Sequence, residues 1–227
     1  MLKFKQSSVS VYSMAKQKQA TRDRILDAAE KLFAQKGFEG VSVRQIMSAA
    51  DADVSLAYYH FKSKRDLFDQ VMLRRVEFLN EIRLLALDEV EQHHADDAPT
   101  VEEIIGAFTR PLMQLLADDH DNWSNYYQLI AQINNSPEQG GILMSRYFDP
   151  LVSRFIDALR KALPDCDDAD LYWSYHFLSG ALTLTFAETG RIDNLSGGIC
   201  KSTDVAAINE RMHIFLAAGF KRLCEKP

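Results

Sequence analysis

Cysteine is scarce in this chain of 227 residues: Cys166, Cys200 and Cys224 are odd in number, far apart and outside any CxxC pair. Such a set excludes a disulfide-dense scaffold and a zinc ribbon, and it predicts buried or surface thiols in a reducing compartment. Long apolar runs are also missing. The longest candidate, Ala181 to Ala187, is interrupted by Thr183 and Thr185, far short of the roughly 18 residues that a membrane-spanning helix needs. The N-terminal stretch MLKFKQSSVSVYSMAKQKQ has basic residues but no continuous apolar core for a signal peptide, so a cytoplasmic protein with no membrane partner is expected. Met14 opens a second candidate start, which makes residues 1–13 a candidate extension. Period-two alternation rich in Val, Ile and Thr is almost absent, leaving little material for a sheet. GxSxG, HExxH, P-loop and GxGxxG motifs are absent too, so no enzyme class has local support and no cofactor is expected.

What is present is charge, unevenly placed. The net charge of −6 hides a basic N-terminal part: residues 1–65 carry 12 Lys or Arg against 6 Asp or Glu, which leaves 14 against 26 for the rest. A segment of +6 on a body of −12 offers a polyanion one face and repels it from the other.

Apolar residues recur at helical spacing along nearly the whole chain, predicting an all-α fold. A first helix is predicted over about 22–36, capped by Thr21, with Ile25, Ala29, Leu32 and Phe33 facing inward. Gly37 stands where a left-handed C-terminal residue is wanted, and Phe38 can fold back on the helix end. A short helix begins after Ser42, and another, capped by Asp53, covers about 54–61. Ser63 caps a long fourth helix reaching about Gln92, followed by the polar linker HHADDAP. Later helices are predicted near 100–117, 122–134, 138–162, 168–189 and 204–223. Pro111 and Pro150 should kink or break two of them, and the glycine-bearing loop 190–202 is expected to be mobile.

Three short helices separated by tight turns describe a helix-turn-helix, whose third helix enters the major groove. Ser55 is a small polar base reader, Tyr58, Tyr59 and His60 bring hydrogen-bonding rings, and Lys62 and Lys64 bring charge for phosphates. Ser42 and Arg44 stand at the start of the second helix, where free amides favour a phosphate.

The run TRDRILDAAEKLFAQKGFEGVSVRQIMSAADADVSLAYYHFKSKRDLF, Thr21 to Phe68, resembles the DNA-binding domain of TetR-type repressors. The segments RILDAAEKLFAQKGF, SVRQI and YYHFKSKRDLF occur in register with one another. The resemblance implies DNA contacts by Ser42, Arg44, Ser55, Tyr58, Tyr59, His60 and Lys64. Two positions depart from the family pattern: Asp51 replaces the usual turn glycine, and Ala52 replaces a valine. Asp tolerates the left-handed conformation better than most residues. RYFDPLVSRFIDALRKALP and LYWSYHFLSGALTLTF are similar to one branch, the PsrA-like fatty-acid-responsive regulators, which implies an apolar effector.

The expected organisation is a flexible arm over 1–19, a helix-turn-helix domain over 20–66, and an effector-binding and dimerisation domain over 67–227. The expected function is a ligand-responsive regulator of a double-stranded DNA operator, a repressor released by a small apolar effector. A DNA-organising or interaction protein without a ligand is the alternative. A homodimer is expected through the last two helices: Ser174, Ser179, Gly180 and Ala181 permit close approach, and Ile208, Met212, Phe215, Leu216 and Gly219 form an apolar face. The effector is expected among Arg110, Met113, Trp123, Tyr126, Tyr127, Met144, Phe148, Trp173 and Phe177. Arg110, Arg146 and Arg154 are the candidate cations for an acyl head group, with a flat aromatic effector as the rival. His93 and His94 read as linker, Asp118 to Asp121 as a helix junction, and His176 as a core or interface residue; no metal site is expected.

Overall fold

The computed structural model describes residues 4–94, 97–137 and 140–225. Among them are ten helices and no strand: α1 (Phe4–Lys36), α2 (Val43–Ala49), α3 (Val54–His60), α4 (Lys64–His93), α5 (Val101–Asp118), α6 (His120–Asn134), α7 (Gly140–Ala162), α8 (Asp168–Phe186), α9 (Arg191–Leu195) and α10 (Val205–Cys224). The chain divides into two compact units, Met1–Arg74 and Arg75–Pro227, and the division falls inside α4.

In the first unit the start of α1 differs from expectation. The helix begins at Phe4, not near Arg22, and Thr21 lies inside it instead of capping it. Residues 4–21 contain neither glycine nor proline, so nothing in that stretch stops a helix already nucleated downstream. The stop is as expected. Gly37 has φ +70°, and its N–H donates to the Phe33 carbonyl at 2.9 Å. Phe38 then folds back, its ring centroid 5.8 Å from Phe33 and 5.1 Å from Phe68. Ile25, Leu26, Ala29 and Phe33 are buried, with Leu32 only half-buried. Asp51 has φ +49°, taking the conformation a glycine would.

Electrostatics ties α1 to the first turns of α4. Arg74 donates to Asp27 at 2.6 Å and to Glu30 at 2.7 Å, and Arg22 donates to Gln70. Glu30 is buried, so the Arg74 guanidinium lies against a carboxylate withdrawn from water.

The second unit is a helical bundle. α5 packs against α6, α7 and α10, while α8 packs against α6, α7 and α10. Thr100 and Glu103 form a reciprocal capping box at the start of α5. Of the kink or break expected at Pro111 and Pro150, the break does not occur; α5 and α7 run through them. Two expectations are corrected here. Cys166 and Cys224 are not free thiols but a disulfide, their Cα atoms 4.5 Å apart across 58 residues of sequence. Spacing alone could not show this, because only the packing of α10 beside α8 brings the two together. The loop 190–202 is organised: it contains α9, and Asp193 accepts from the Ser202 N–H at 2.8 Å while Ser196 Oγ accepts from the Cys200 N–H at 2.9 Å. Cys200 remains free and exposed.

Candidate functional site

The first unit presents a short recognition element on a rigid base. Ser42 and Gln45 form a capping box: the Ser42 N–H and Oγ both donate to Gln45 Oε1, at 2.8 and 2.9 Å, and Ser42 Oγ accepts from the Gln45 N–H. Asp53 Oδ1 accepts from the Ser55 N–H at 2.8 Å and opens α3; the hydrogen bonds from Ser55 hold its carboxyl below the usual range. Ser63 Oγ accepts from the Asp66 N–H at 3.0 Å and opens α4. Asp66 also accepts from the Lys62 N–H at 2.8 Å, which, with a further bond from Gln70, lowers its pKa.

Ala57 and Phe61 are buried and anchor α3 on one side. The opposite side is exposed. Tyr58 and Tyr59 are 72% and 62% accessible, unusually high for large rings. Ser42, Arg44, Ser55 and Lys62 are also exposed, while His60 and Lys64 are half-buried. The His60 ring lies 5.1 Å from that of Tyr59. The Lys64 ammonium sits 4.2 Å from the Phe38 ring centroid, a cation–π contact that fixes its stem at the foot of α4.

In the second unit a cavity of about 60 Å³ lies among α4 to α8. Four of the expected effector residues line it: Tyr126, Tyr127, Met144 and Phe148. Arg110, Met113, Trp123, Trp173 and Phe177 do not. Met113 and Trp123 are buried elsewhere in the core. Trp123 stacks on Phe78 and lies under Arg75, whose guanidinium carbon is 4.6 Å from its centroid. Trp173 and Phe177 instead face outward, stacked on each other at 5.9 Å. His176 is exposed beside them, 5.6 Å from Trp173.

The expected head-group cations lie elsewhere as well. Arg154 is held by Glu91 and Asp88, Arg146 lies against the Tyr147 ring at 5.4 Å, and Arg110 is exposed. The cation in the cavity wall is Arg83, which sequence reasoning missed. It is 4% accessible, and burial pushes its pKa down to about 10, so it stays charged at neutral pH. Its signal was legible: Arg83 interrupts the buried stripe Met72, Val76, Leu79 and Leu87 on α4, a place where a charge is rare without a task. Burial also raises the pKa values of the lining hydroxyls of Tyr127 and Tyr175. Tyr127 donates to the Leu112 carbonyl at 3.0 Å. Asn134 donates to Thr183 Oγ1 at 2.6 Å, so that polar end of the cavity is internally satisfied.

A capped three-helix element with an exposed polar and aromatic third helix, followed along the chain by a helical bundle with an internal cavity, is the architecture of a helix-turn-helix transcriptional regulator. Residues 25–71 match the family model for bacterial regulatory proteins of the tetR family, and residues 106–219 match that for the tetracyclin repressor-like C-terminal domain. The chain belongs to the TetR family of transcriptional regulators. It is 25% identical over 118 residues to the negative transcriptional regulator IcaR of the biofilm operon in Staphylococcus aureus, a match covering 52% of this chain and 56% of that protein. The chain thus spans about half the length of that relative. Among solved structures, the fatty acid degradation regulator FadR of Bacillus halodurans is similar with a TM-score of 0.57 and 17% identity, over 88% of this chain and 95% of that one. FadR of Bacillus subtilis in complex with stearoyl-CoA is similar with a TM-score of 0.52 and 17% identity, over 86% and 97%. These two likenesses establish the shared fold. The family consists of regulators, not enzymes. Among the described residues no helix is long and apolar enough to cross a membrane.

Proposed function

We infer that the chain is a homodimeric repressor that holds a pseudo-palindromic operator through α3 and is released when a small apolar effector enters the cavity of the second unit. The observation that carries the DNA-binding half is α3 itself: buried Ala57 and Phe61 fix a helix whose tyrosines are left in solvent, a costly arrangement unless a groove covers them. Ser55, Tyr58 and Tyr59 would read base edges; Ser42, Arg44, His60, Lys62 and Lys64 would hold the backbone.

The dimer reading rests on a second exposed apolar surface. Trp173, Phe177 and Leu184 share one face of α8, and Ile214 and Phe215 stand out from α10, Phe215 being 76% accessible. Ser174, expected on that face, is buried within the unit, and Met212 and Leu216 turn at least partly inward.

The effector reading rests on α4. Leu79 and Arg83 form part of the cavity wall, and the same helix begins at Lys64 beside the recognition element. An occupant that binds the two states of α4 unequally shifts operator affinity by that difference, commonly about 1–3 kcal/mol. An acyl compound is supported by the ligand of the Bacillus subtilis FadR complex, whose fold this chain shares.

The test is operator selection from a random duplex library with the purified protein. Lys62→Ala should weaken binding to every sequence alike and flatten the salt dependence by about one unit of slope. Tyr58→Ala should change which sequences are selected. If Tyr58→Ala leaves the selected sequences unchanged, α3 is not the reading helix; a monomer by sedimentation at micromolar concentration removes the dimer.

A further inference from the structure

Arg75 and Arg83 are the buried arginines among the described residues; Arg75 donates to Asn122 and lies over the Trp123 ring without lining the cavity, while the half-buried Arg74 and Arg154 are matched by carboxylates. Arg74 has Asp27 and Glu30, and Arg154 has Glu91 and Asp88. Arg83 has none among the described residues. Its Nε donates to the Leu79 carbonyl at 3.0 Å and its Nη2 to Asn80 Oδ1 at 2.7 Å, both neutral acceptors. Its guanidinium carbon lies 4.9 Å from the Phe108 ring centroid and 5.6 Å from that of Phe148. The ionisable groups that act on it are the hydroxyls of Tyr127, Tyr126 and Tyr175, and no carboxylate is among them.

A buried cation with only neutral partners is an unfavourable arrangement unless an anion reaches it. Two aromatic faces and two neutral acceptors offset part of that cost. The remainder is a standing preference for an anionic occupant in the adjoining space. Much of the wall of that space is apolar, with Leu112, Ile130, Met144 and Phe186 among its residues. Of its neutral polar groups, Asn134 donates to Thr183 Oγ1 and the Tyr127 hydroxyl to the Leu112 carbonyl, and none of the lining groups carries a negative charge at neutral pH.

Building on the effector reading above, we propose that Arg83 is the anion receptor of the cavity and that the effector is a free carboxylic acid, its carboxylate on the guanidinium and its apolar body among Phe108, Phe148 and Met144. A carboxylate is the anion a guanidinium fork matches with two parallel hydrogen bonds while remaining cheap enough to desolvate. An ester or thioester carbonyl brings no charge and leaves the arginine uncompensated. The free space of about 60 Å³ admits the head group and a few carbons. A longer body enters only as the flexible Met144 and neighbouring side chains turn aside.

The experiment titrates the full-length wild-type protein, free and on its selected operator, with benzoate, octanoate and palmitate, each beside its methyl ester, and with octanoyl- and palmitoyl-CoA. At least one acid should bind ten-fold or more tightly than its own ester and thioester. Arg83→Met should bring that acid down to the level of its ester, and Arg83→Lys should restore part of the difference. Equal affinity of acid and ester throughout, thioesters binding while the acids do not, or no binding by any acid overturns the assignment. Each of those comparisons uses the wild-type chain and so does not depend on the folding of a variant. An acid preference that persists in a folded Arg83→Met variant also overturns the assignment, whereas one that Arg83→Met abolishes, without any loss of operator affinity in the wild type, supports the role of Arg83 and refutes release by effector instead.

Discussion

Replacing Arg74 by methionine tests the strongest electrostatic contact in the DNA-binding unit. Its guanidinium bridges Asp27 at 2.6 Å and Glu30 at 2.7 Å, but the two bonds are unequal. The Asp27 side chain is 65% accessible, so its bridge is screened and worth less than about 1 kcal/mol. The Glu30 side chain is 4% accessible. Removing its cation breaks the ion pair of a buried carboxylate, a loss of up to about 3–5 kcal/mol, and the partial exposure of Arg74 itself places the expectation at about 3. For a chain of this size that is a fall in melting temperature of about 6–12 °C. Glu30→Met should cost a similar amount. The double variant Arg74→Met with Glu30→Met should recover to within about 1 kcal/mol of the wild type, because an apolar pair leaves no charge to solvate. The assay is urea denaturation followed by circular dichroism, closed as a double-mutant cycle. Additive single effects, with a coupling below about 0.5 kcal/mol, would refute the claim that Arg74 compensates Glu30.

Other perturbations have equally definite outcomes. Asp51→Gly should stabilise the protein by about 0.5–1 kcal/mol and Asp51→Val should destabilise it by more than about 1, because φ at that residue is +49°; equal melting temperatures would contradict this. Reducing Cys166–Cys224 with dithiothreitol reopens a 58-residue loop and should lower stability by as much as about 4 kcal/mol, read from melts with and without reductant, while Cys200→Ser should leave the response unchanged. Hydrogen bonds from the Thr100 hydroxyl, then His94, then the Thr100 N–H, hold the Glu103 pKa at about 2, below its ordinary 4.5. A depressed carboxyl pKa stabilises the fold above about pH 4.5, and that contribution is lost as the pH falls toward about 2. Glu103→Gln should therefore flatten the acid limb of the stability profile, and an unchanged limb would remove Glu103 as its cause.

The local grammar of the first unit was legible because each signal acts within a few residues. Ser42, Asp53 and Ser63 cap the helices they precede, Gly37 ends α1, and Asp51 adopts the left-handed turn. The start of α1 was misread because a polar segment without a breaker looks like a tail, although nothing in it opposes helix. In the second unit, existence and order of the long helices followed from period, but the facing of their aromatics did not. Tyr126 and Trp173 both occupy helical stripes, yet one lines the cavity and the other faces solvent. The disulfide depends on where two distant ends meet, which periodicity does not encode. Arg83 could have been found from sequence by asking which charge falls on a buried stripe.

α4 contains neither glycine nor proline between Lys64 and His93. It therefore carries neither of the residues whose backbone favours a break, and along a continuous helix a small angle becomes a large travel. From Arg83 to Lys64 is nineteen residues, about 28 Å along the axis. A tilt of about 5° at the cavity end carries the other end about 2.5 Å, worked from that helical rise. In the proposed dimer the two arms move together, so their separation changes by about 5 Å, more than the roughly 3.4 Å step between base pairs. Under the proposed release, loss of half-site register would then need no unfolding, only a tilt of that size at the end of α4 beside Arg83.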